Sequence, residues 1–379
     1  MRVVVIGAGI VGVSAALALG EQSVDVIVVE RGSVAGEASG LNAGIIGGGG
    51  WGHSPDLEVT LKMGSRDLFI ELSEQRGYDI GLDLTGTLTL IRTEAEWNWA
   101  KASVDTDRRA GRELELLTSA ELVSLEPAVD PRLLGAILDP LGARAEPVTA
   151  TRAFASAAAS AGVVIETGCV VSELRPATGG GWEVLVPALV PQILEADAVI
   201  IAAGAWCSQL GAMVGVEVPI VAVRGQMWAS DPQPPLLRHA ISATESPLAW
   251  SGEAPLDGTP PNLTHRGSQR VTRHLYGRQR PNGEIVFGGD RVLAGERAVD
   301  HEGIAINHGH VGELLPQLEA LSPSRTWAGL MPFSLDGSPL IGPVPGNDGL
   351  FIAGGLASSG FGRGPKAGQI IADLVMGRT

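Results

Sequence analysis

Three glycines near the start of the sequence have the spacing of a phosphate-binding turn. Gly7, Gly9 and Gly12 follow the β-branched run 2–6 and open a segment rich in alanine and leucine. In this pattern the first glycine permits a tight turn, the second lets a pyrophosphate approach the backbone, and the third lets a helix pack against a strand. The free amides at the helix N-terminus then bind the anion.

An acidic residue completes this pattern. Glu30 ends the next apolar run, 24–30. A carboxylate at this position accepts hydrogen bonds from ribose hydroxyls and repels a 2′-phosphate. A glycine-rich turn with a surface glutamate is the alternative interpretation, but the strand, helix and acidic residue in register favour dinucleotide binding.

A second glycine-rich segment, 354–364, follows an apolar run and precedes a helix that is predicted from about Pro365. A helix in this position directs its N-terminal dipole at the pyrimidine end of a flavin and stabilises the anionic reduced ring. A third buried strand, 198–202, ends in Ala203-Gly204 and can lie beside the nucleotide. An NAD-binding fold needs no second glycine-rich segment, so the combination indicates a flavin. A loop that only caps a terminal helix is the alternative.

The elements that must position these residues fall into two groups. Continuous apolar runs at 2–6, 24–30 and 198–202 are typical of strands buried on both faces. Alternation at 86–91 and several runs within 216–300 predict antiparallel sheet, and helices are predicted at 11–19, 56–76, 149–161 and 308–321. We therefore predict a discontinuous α/β Rossmann-like FAD-binding domain and an antiparallel-sheet α+β substrate domain. The first comprises 1–50, 146–215 and 325–379, and the second comprises 51–145 and 216–324, with a substrate cleft between them.

Composition excludes several classes of protein. The 379 residues carry a formal net charge of −15, which opposes binding to nucleic acid or to an anionic membrane surface. No apolar run is long enough to span a bilayer, and no signal peptide is recognised. The two cysteines, Cys169 and Cys207, are predicted to be buried, inert thiols. His301, His308 and His310 lack ligand companions, so no metal site is predicted, and we expect a soluble cytoplasmic protein.

The block 327–342, WAGLMPFSLDGSPLIG, and the run 349–354, GLFIAG, resemble the C-terminal signature of the D-amino-acid oxidase-type FAD-dependent oxidoreductases. Within that family the sequence is most similar to the glycine oxidase and sarcosine oxidase branch. The resemblance covers nearly the whole length and is strongest in 1–50, 196–210 and 325–379. It implies FAD as cofactor, oxidation of a C–N bond by hydride transfer to flavin N5, and hydrolysis of the imine product.

The resemblance also implies a set of cofactor-binding residues. These are Gly7, Gly9, Val11 and Gly12 at the pyrophosphate, Glu30 and Arg31 at the adenosine ribose, Ala38, Ser39, Asn42, Ala43, Gly44 and Ile45 along the pyrophosphate and flavin ring, Val171 at adenine, Gly204 and Trp206 at the second strand's turn, and Gly355, Ser358, Ser359, Gly360, Phe361 and Gly362 at the pyrimidine side. Some relatives tether the flavin through a histidine where this chain has Asn42, and others through a cysteine near Gly329. Neither residue here can form such a link, so noncovalent FAD is expected.

The sequence departs from the family pattern at the substrate. Met331 stands where glycine oxidase-like members have an arginine that pairs bidentately with the substrate carboxylate, which a thioether cannot do. A second family arginine aligns with Ser358, and a lysine that favours reaction with oxygen aligns with Val286. Arg363 is either a displaced cationic anchor or an arginine facing the surface or a phosphate.

Other polar residues complete the candidate substrate pocket. His53 either touches substrate or acts as a base, or is an ordinary loop histidine, and Tyr276 is placed to hydrogen-bond a substrate. The residues His274, Arg278 and Arg280 are assigned to a solvated strand face. The candidate catalytic and substrate residues are therefore His53, Tyr276, Met331 and Arg363.

The leading hypothesis is an FAD-dependent oxidoreductase of amines or amino acids, with oxygen or another electron acceptor. One alternative keeps the fold and changes the substrate to a 2-hydroxy acid or alcohol. A second is a flavin-bearing β-type subunit whose partner chain supplies electron exit or substrate delivery. A flavoprotein that modifies tRNA is disfavoured by the net charge of −15. The substrate's identity and the choice between homo-oligomer and partner subunit stay open.

Overall fold

The protein's structure is a computed structural model that describes residues 1–47, 55–187, 192–252 and 258–378. Its strands are β1 (Arg2–Ile6), β2 (Asp25–Glu30), β3 (Ile45–Ile46), β4 (Thr87–Ile91), β5 (Glu115–Thr118), β6 (Gly135–Asp139), β7 (Ala143–Arg144), β8 (Val164–Thr167), β9 (Glu173–Pro176), β10 (Trp182–Val186), β11 (Gln192–Ala196), β12 (Ala198–Ile201), β13 (Ile220–Ala229), β14 (Ala240–Ala243), β15 (His265–Arg266), β16 (Gln269–Arg270), β17 (Tyr276–Gln279), β18 (Ile285–Leu293), β19 (Arg325–Ser334), β20 (Leu340–Pro343) and β21 (Leu350–Gly354). Its α-helices are α1 (Ile10–Gly20), α2 (Pro55–Ile70), α3 (Glu94–Arg109), α4 (Ser119–Leu125), α5 (Pro147–Ser160), α6 (Cys207–Met213), α7 (Glu245–Ser251), α8 (His301–Leu314) and α9 (Gly360–Val375).

The first sheet has the strand order β20-β21-β12-β1-β2-β8 and is parallel except for β20. The central strand β1 is buried from Val3 to Ile6, as its unbroken apolar sequence predicts. Helices α1, α5 and α9 cover one face. The helices α1 and α9 approach closely at Gly368, which has no side chain. A Cβ at this position would lie only 2.6 Å from the carbonyl oxygen of Val11.

The second sheet has eight strands in the order β19-β13-β18-β17-β14-β4-β6-β5. Its pairings are antiparallel except for the parallel pair β4–β14, which the sequence did not predict. Helix α8 covers one face over a core that includes Trp228 and Phe287. The indole Nε1 of Trp228 donates a hydrogen bond to Oδ1 of Asn307 on α8 at 2.9 Å, which fixes the helix against the sheet.

Two boundaries differ from the predicted ones. The helix predicted at 308–321 is α8, which begins at His301 because the Asp300 side chain caps it by accepting a hydrogen bond from the amide of Glu302. Strand β19 was assigned with 325–379 to the nucleotide-binding part. It instead pairs along its whole length with β13 in the second sheet, and the first sheet resumes only at β20.

The remaining features concern cysteines and membranes. Cys207 and Cys169 are both free. Burial raises the pKa of the Cys207 thiol to about 12, so this thiol is inert as predicted. The prediction of burial was wrong for Cys169, which is only half-buried and lines the cavity described below. Within the described ranges, the structure contains no helix with the length and hydropathy needed to cross a membrane.

Candidate active site

A cavity of about 410 Å³ is lined by residues from both large sheets, and its size is typical of small-molecule sites. One end, which we call the nucleotide end, contains Gly9, Glu30 and Trp206. The other, which we call the substrate end, contains Tyr276 and Met331. The cavity therefore joins the predicted dinucleotide turn to the predicted substrate pocket.

The nucleotide end has backbone donors without acceptors. Helix α1 begins directly after Gly9, and the amide of its first residue, Ile10, donates to the Ser39 hydroxyl at 2.9 Å. Among the described residues, nothing accepts a hydrogen bond from the amides of Val11 and Gly12. Because the first amides of a helix lack intrahelical acceptors, this turn is suited to bind an anion such as a pyrophosphate.

The Glu30 carboxylate is fixed by the backbone around it. Its Oε2 accepts a hydrogen bond from the amide of Ala8 at 2.8 Å, and its Oε1 accepts one from the amide of Gly32 at 2.7 Å. Each carboxylate oxygen has two lone pairs, so Glu30 keeps acceptor capacity for hydroxyl groups. The structure therefore places a pre-oriented acceptor beside the β1–α1 turn.

Arg31 and Trp206 form a flat surface at the nucleotide end. The guanidinium carbon of Arg31 lies 3.5 Å from the centre of the Trp206 ring, and its Nη2 donates to Glu37 at 2.6 Å. Val171 and Gly204 line the same end. A planar cation stacked on an indole is a stable arrangement, and it gives the cavity a rigid wall there.

Asn42 stabilises the segment that forms the middle of the cavity. Its Nδ2 donates to the carbonyl oxygens of Ala38 at 2.9 Å and of Ser39 at 3.1 Å, and its Oδ1 accepts from the amide of Gly44 at 2.7 Å. The side chain thus folds back onto its own loop. Asn42 both lines the cavity and holds the backbone that surrounds it.

Arg278 supports this segment from the second sheet. Its side chain is only 1 % exposed, so its assignment to a solvated strand face was wrong. Its Nη2 donates to the Ala145 carbonyl at 2.9 Å and to Glu146 at 2.7 Å, and its Nε donates to the Ala43 carbonyl. Burial lowers the pKa of Arg278, and the Glu146 carboxylate opposes this shift.

Most of the predicted cofactor residues line the cavity, but four do not. A Cβ on Gly12 would lie 1.9 Å from the carbonyl oxygen of Gly7, so Gly12 permits close packing of α1 on β1. The other three, Ala43, Gly44 and Gly355, are not among the residues that line the cavity. The lining residues among those predicted are Gly7, Gly9, Val11, Glu30, Arg31, Ala38, Ser39, Asn42, Ile45, Val171, Gly204, Trp206, Ser358, Ser359, Gly360, Phe361 and Gly362.

At the substrate end, the predicted substrate residues Tyr276 and Met331 both line the cavity. Burial raises the pKa of Tyr276 to about 12, and the nearby Arg291 guanidinium partly offsets this effect. The hydroxyl group is therefore protonated at neutral pH and can donate a hydrogen bond. Met331 presents a thioether, so this part of the wall is uncharged.

His274 and Arg291 also line the substrate end. Nη2 of Arg291 lies 3.0 Å from Nε2 of His274, and its guanidinium carbon lies 4.3 Å from the centre of the Trp250 ring. The prediction that His274 lies on a solvated strand face was wrong, because its ring lines the cavity and contacts Arg291. Sequence analysis missed Arg291, although an arginine within the apolar strand 285–293 is a recognisable signal.

Arg363 is buried in the wall and paired with an acid. Its side chain is 6 % exposed and forms an ion pair with Glu58, while its Nη2 donates to the Leu356 carbonyl at 2.5 Å. Burial lowers the pKa of Arg363, and Glu58 opposes the shift. The surface interpretation of Arg363 was therefore wrong, and its charge is already compensated. His53, the remaining candidate, lies outside the described residues.

Comparison with known proteins identifies the family. The model of the DAO family, described as FAD dependent oxidoreductase, matches residues 2–374. The chain belongs to this family. It is 28% identical to the glycine oxidase of Geobacillus kaustophilus over 98% of this chain and 92% of that protein. It is 26% identical to the sarcosine oxidase subunit beta of Rhodobacter capsulatus over 98% of this chain and 84% of that protein.

Solved structures agree with the sequence comparison. The crystal structure of the Geobacillus kaustophilus glycine oxidase superposes with a TM-score of 0.85 and 27% identity, covering 100% of this chain and 95% of that one. The iminodiacetate oxidase from Chelativorans sp. BNC1 gives 0.83 and 25% identity, covering 100% and 96%. The predicted family, fold class and dependence on FAD are therefore confirmed.

Proposed function

We propose that this protein binds FAD noncovalently and oxidises the C–N bond of an amine or amino acid, giving an imine that water hydrolyses. The observation that supports this proposal is the continuous cavity. It leads from the β1–α1 turn, where the amide of Val11 has no acceptor among the described residues, to a substrate end lined by the protonated hydroxyl group of Tyr276. The similarity to a glycine oxidase and an iminodiacetate oxidase supports a substrate with an amine.

Different lining residues would bind different parts of the cofactor. The amide of Val11, which lines the cavity, would hold the pyrophosphate, and the Glu30 carboxylate would hold the ribose hydroxyls. The residues 358–362 at the start of α9 would hold the pyrimidine side of the ring with the positive end of the helix dipole. Bound there, FAD supplies the acceptor for the hydride that leaves the substrate carbon. Asn42 has no nucleophile that could form a covalent link to the ring.

The residues of the substrate end orient the amine and exclude water. Because the Tyr276 hydroxyl stays protonated, it can donate a hydrogen bond to the substrate. Two acid–base candidates among the described residues of this end are already engaged, since Glu58 pairs with Arg363 and His274 contacts Arg291. We infer that the substrate binds as the neutral amine. We expect the rate of reduction to rise with pH through the pKa of the substrate's ammonium group.

The test is anaerobic reduction of the bound flavin, which is monitored through the visible absorbance of the oxidised form. The panel pairs amino acids with the hydroxy acids of the same carbon skeleton, and adds primary and secondary amines without a carboxylate. Bleaching by amines or amino acids supports the proposal. Bleaching by the matched hydroxy acids alone overturns it.

Two further observations refine the result. Readmission of air after bleaching separates an oxidase, which reoxidises quickly, from a dehydrogenase that needs another acceptor. The whole panel is repeated with protein isolated together with any chain that co-purifies. Failure of every amine in both preparations, with FAD fully bound, contradicts the proposed activity.

A further inference from the structure

Arg291 is a buried cation in the wall of the substrate end. Its side chain is 4 % exposed, and it lines the cavity from strand β18. Its Nη1 donates to the Asn262 carbonyl at 3.3 Å, its Nη2 lies 3.0 Å from His274 Nε2, and its plane is close to the Trp250 ring. These contacts fix the position of the guanidinium without neutralising its charge.

The other buried arginines of the described residues show what Arg291 lacks. Arg144 pairs with Asp83, and buried Arg278 and Arg363 each pair with a glutamate. Arg291 has no carboxylate partner among the described residues, and its buried Nε has no hydrogen-bond acceptor. Charged side chains are almost never fully buried unless they are paired. The structure therefore contains an unsatisfied cation that faces a cavity.

The neighbour of Arg291 cannot supply the missing negative charge. Burial and the adjacent cation Arg291 hold the pKa of His274 well below its usual range, so the imidazole is neutral. Because a guanidinium can only donate, Nε2 of His274 is the acceptor and its proton is on Nδ1. Burial, with a contribution from Arg363, also lowers the pKa of Arg291 to about 9. The guanidinium is charged at neutral pH, and a bound anion would stabilise this buried charge.

We propose that Arg291 binds the carboxylate of the substrate, which makes the preferred substrate of the proposed amine oxidation an amino acid rather than a simple amine. The inference rests on the proposed function for the amine half of the substrate. Tyr276 and Met331 line the cavity beside Arg291, so a carboxylate on the guanidinium leaves the rest of the molecule in the same pocket. His274 acts as a positioning residue, since its neutral Nε2 holds one guanidinium nitrogen and leaves Nε free.

The first test measures binding rather than turnover. Acetate and its neutral analogue acetamide are titrated into the FAD-bound protein, and the perturbation of the flavin spectrum is recorded. Charge-assisted hydrogen bonds to a buried guanidinium predict that acetate binds about 100-fold more tightly than acetamide. In Arg291→Met the acetate affinity should fall about 100-fold, and in Arg291→Lys about 10-fold, because the ammonium keeps the charge but loses the planar fork.

The matched control is Arg175→Met, which removes an exposed arginine of strand β9 outside the cavity; it should bind acetate like the unmodified protein. Flavin content and melting temperature are checked for each variant. If Arg291→Met fails to fold, the Arg291→Lys variant and the ratio of acetate to acetamide affinity in the unmodified protein decide the question. Equal affinities for acetate and acetamide, or full acetate binding in a folded Arg291→Met, overturn the inference.

Turnover then separates this inference from the proposed function. Reduction by amino acids, but not by the corresponding amines without a carboxylate, supports both. Equal reduction by the two sets retains amine oxidation and overturns the role of Arg291. Arg291-dependent binding of acetate with no reduction by any amine retains the anion site and overturns amine oxidation.

Discussion

Replacing Gly12 by alanine is predicted to weaken both folding and flavin binding. The new Cβ would lie 1.9 Å from the carbonyl oxygen of Gly7, whereas real Cβ atoms essentially never come within 3.0 Å of another atom. The β1–α1 turn must therefore open by roughly 1 Å, and overpacking of this kind costs about 3 kcal/mol. Average unfolding entropies give about 0.8 kcal/mol/K for a chain of this length, so the melting temperature should fall by about 4 °C.

A substitution at the neighbouring Gly9 is expected to affect flavin binding without affecting folding. A Cβ on Gly9 would meet only the Ser39 hydroxyl, at 3.0 Å, but it would project into the place that we assign to the pyrophosphate. Gly9→Ala should therefore keep the melting temperature of the flavin-free protein and lose flavin. The matched control is Gly309→Ala in helix α8, where nothing lies within 4 Å of the new Cβ and alanine should add about 1 kcal/mol of stability.

The assay combines thermal unfolding of the flavin-free proteins with the visible absorbance of flavin retained after desalting. The expected order of melting temperature is Gly309→Ala highest, then Gly9→Ala, then Gly12→Ala. A Gly12→Ala protein with normal stability and a full complement of flavin would refute the reasoning about this turn.

Three other predictions concern the support of the site, pH and the cofactor link. Arg278→Met should lower the free energy of unfolding by about 2–4 kcal/mol, because it leaves the carbonyls of Ala43 and Ala145 without their donor, while Arg280 still pairs with Glu146; a loss below about 1 kcal/mol in urea unfolding contradicts this. Burial, together with Arg273, lowers the pKa of His310 although Glu245 opposes the shift. The unfolded chain therefore takes up a proton that the folded chain does not, and the free energy of unfolding should fall as the pH drops below about 6.5. His310→Gln should make the free energy of unfolding less dependent on pH in this range, and an unchanged slope contradicts the role of His310. Acid precipitation should release all flavin into the supernatant, because Asn42 cannot form a covalent link; yellow colour in the washed pellet would show that a link exists.

The local pattern around the nucleotide end was predictable from the sequence. Each requirement of the turn is met within one strand–turn–helix unit, so Gly7, Gly9, Gly12 and Glu30 could be identified from spacing alone. The unbroken apolar run of β1 likewise predicts burial on both faces, and the structure confirms it. These properties depend on neighbours close in sequence.

The substrate end was harder because its chemistry depends on distant neighbours. Arg278 is buried because it reaches the Ala43 carbonyl and Glu146, which lie far away in the sequence. Arg363 is satisfied by Glu58 on another helix, and Arg291 is distinguished only by having no carboxylate partner within the described part of the chain. No local periodicity reports whether a given arginine has a carboxylate opposite it, so sequence reasoning assigned Arg278 to solvent and missed Arg291.

The position of β1 in the middle of its sheet has a consequence for biosynthesis. Strand β1 pairs with β12, and β12 in turn pairs with β21, while α1 packs against α9. At translation rates of roughly 5–20 residues per second, α1 is made about 20–70 s before α9. During that interval apolar surface of the newly made segment has no native partner. The first sheet therefore cannot complete its native pairing, and α1 cannot complete its native packing, until residues 350–375 have been synthesised.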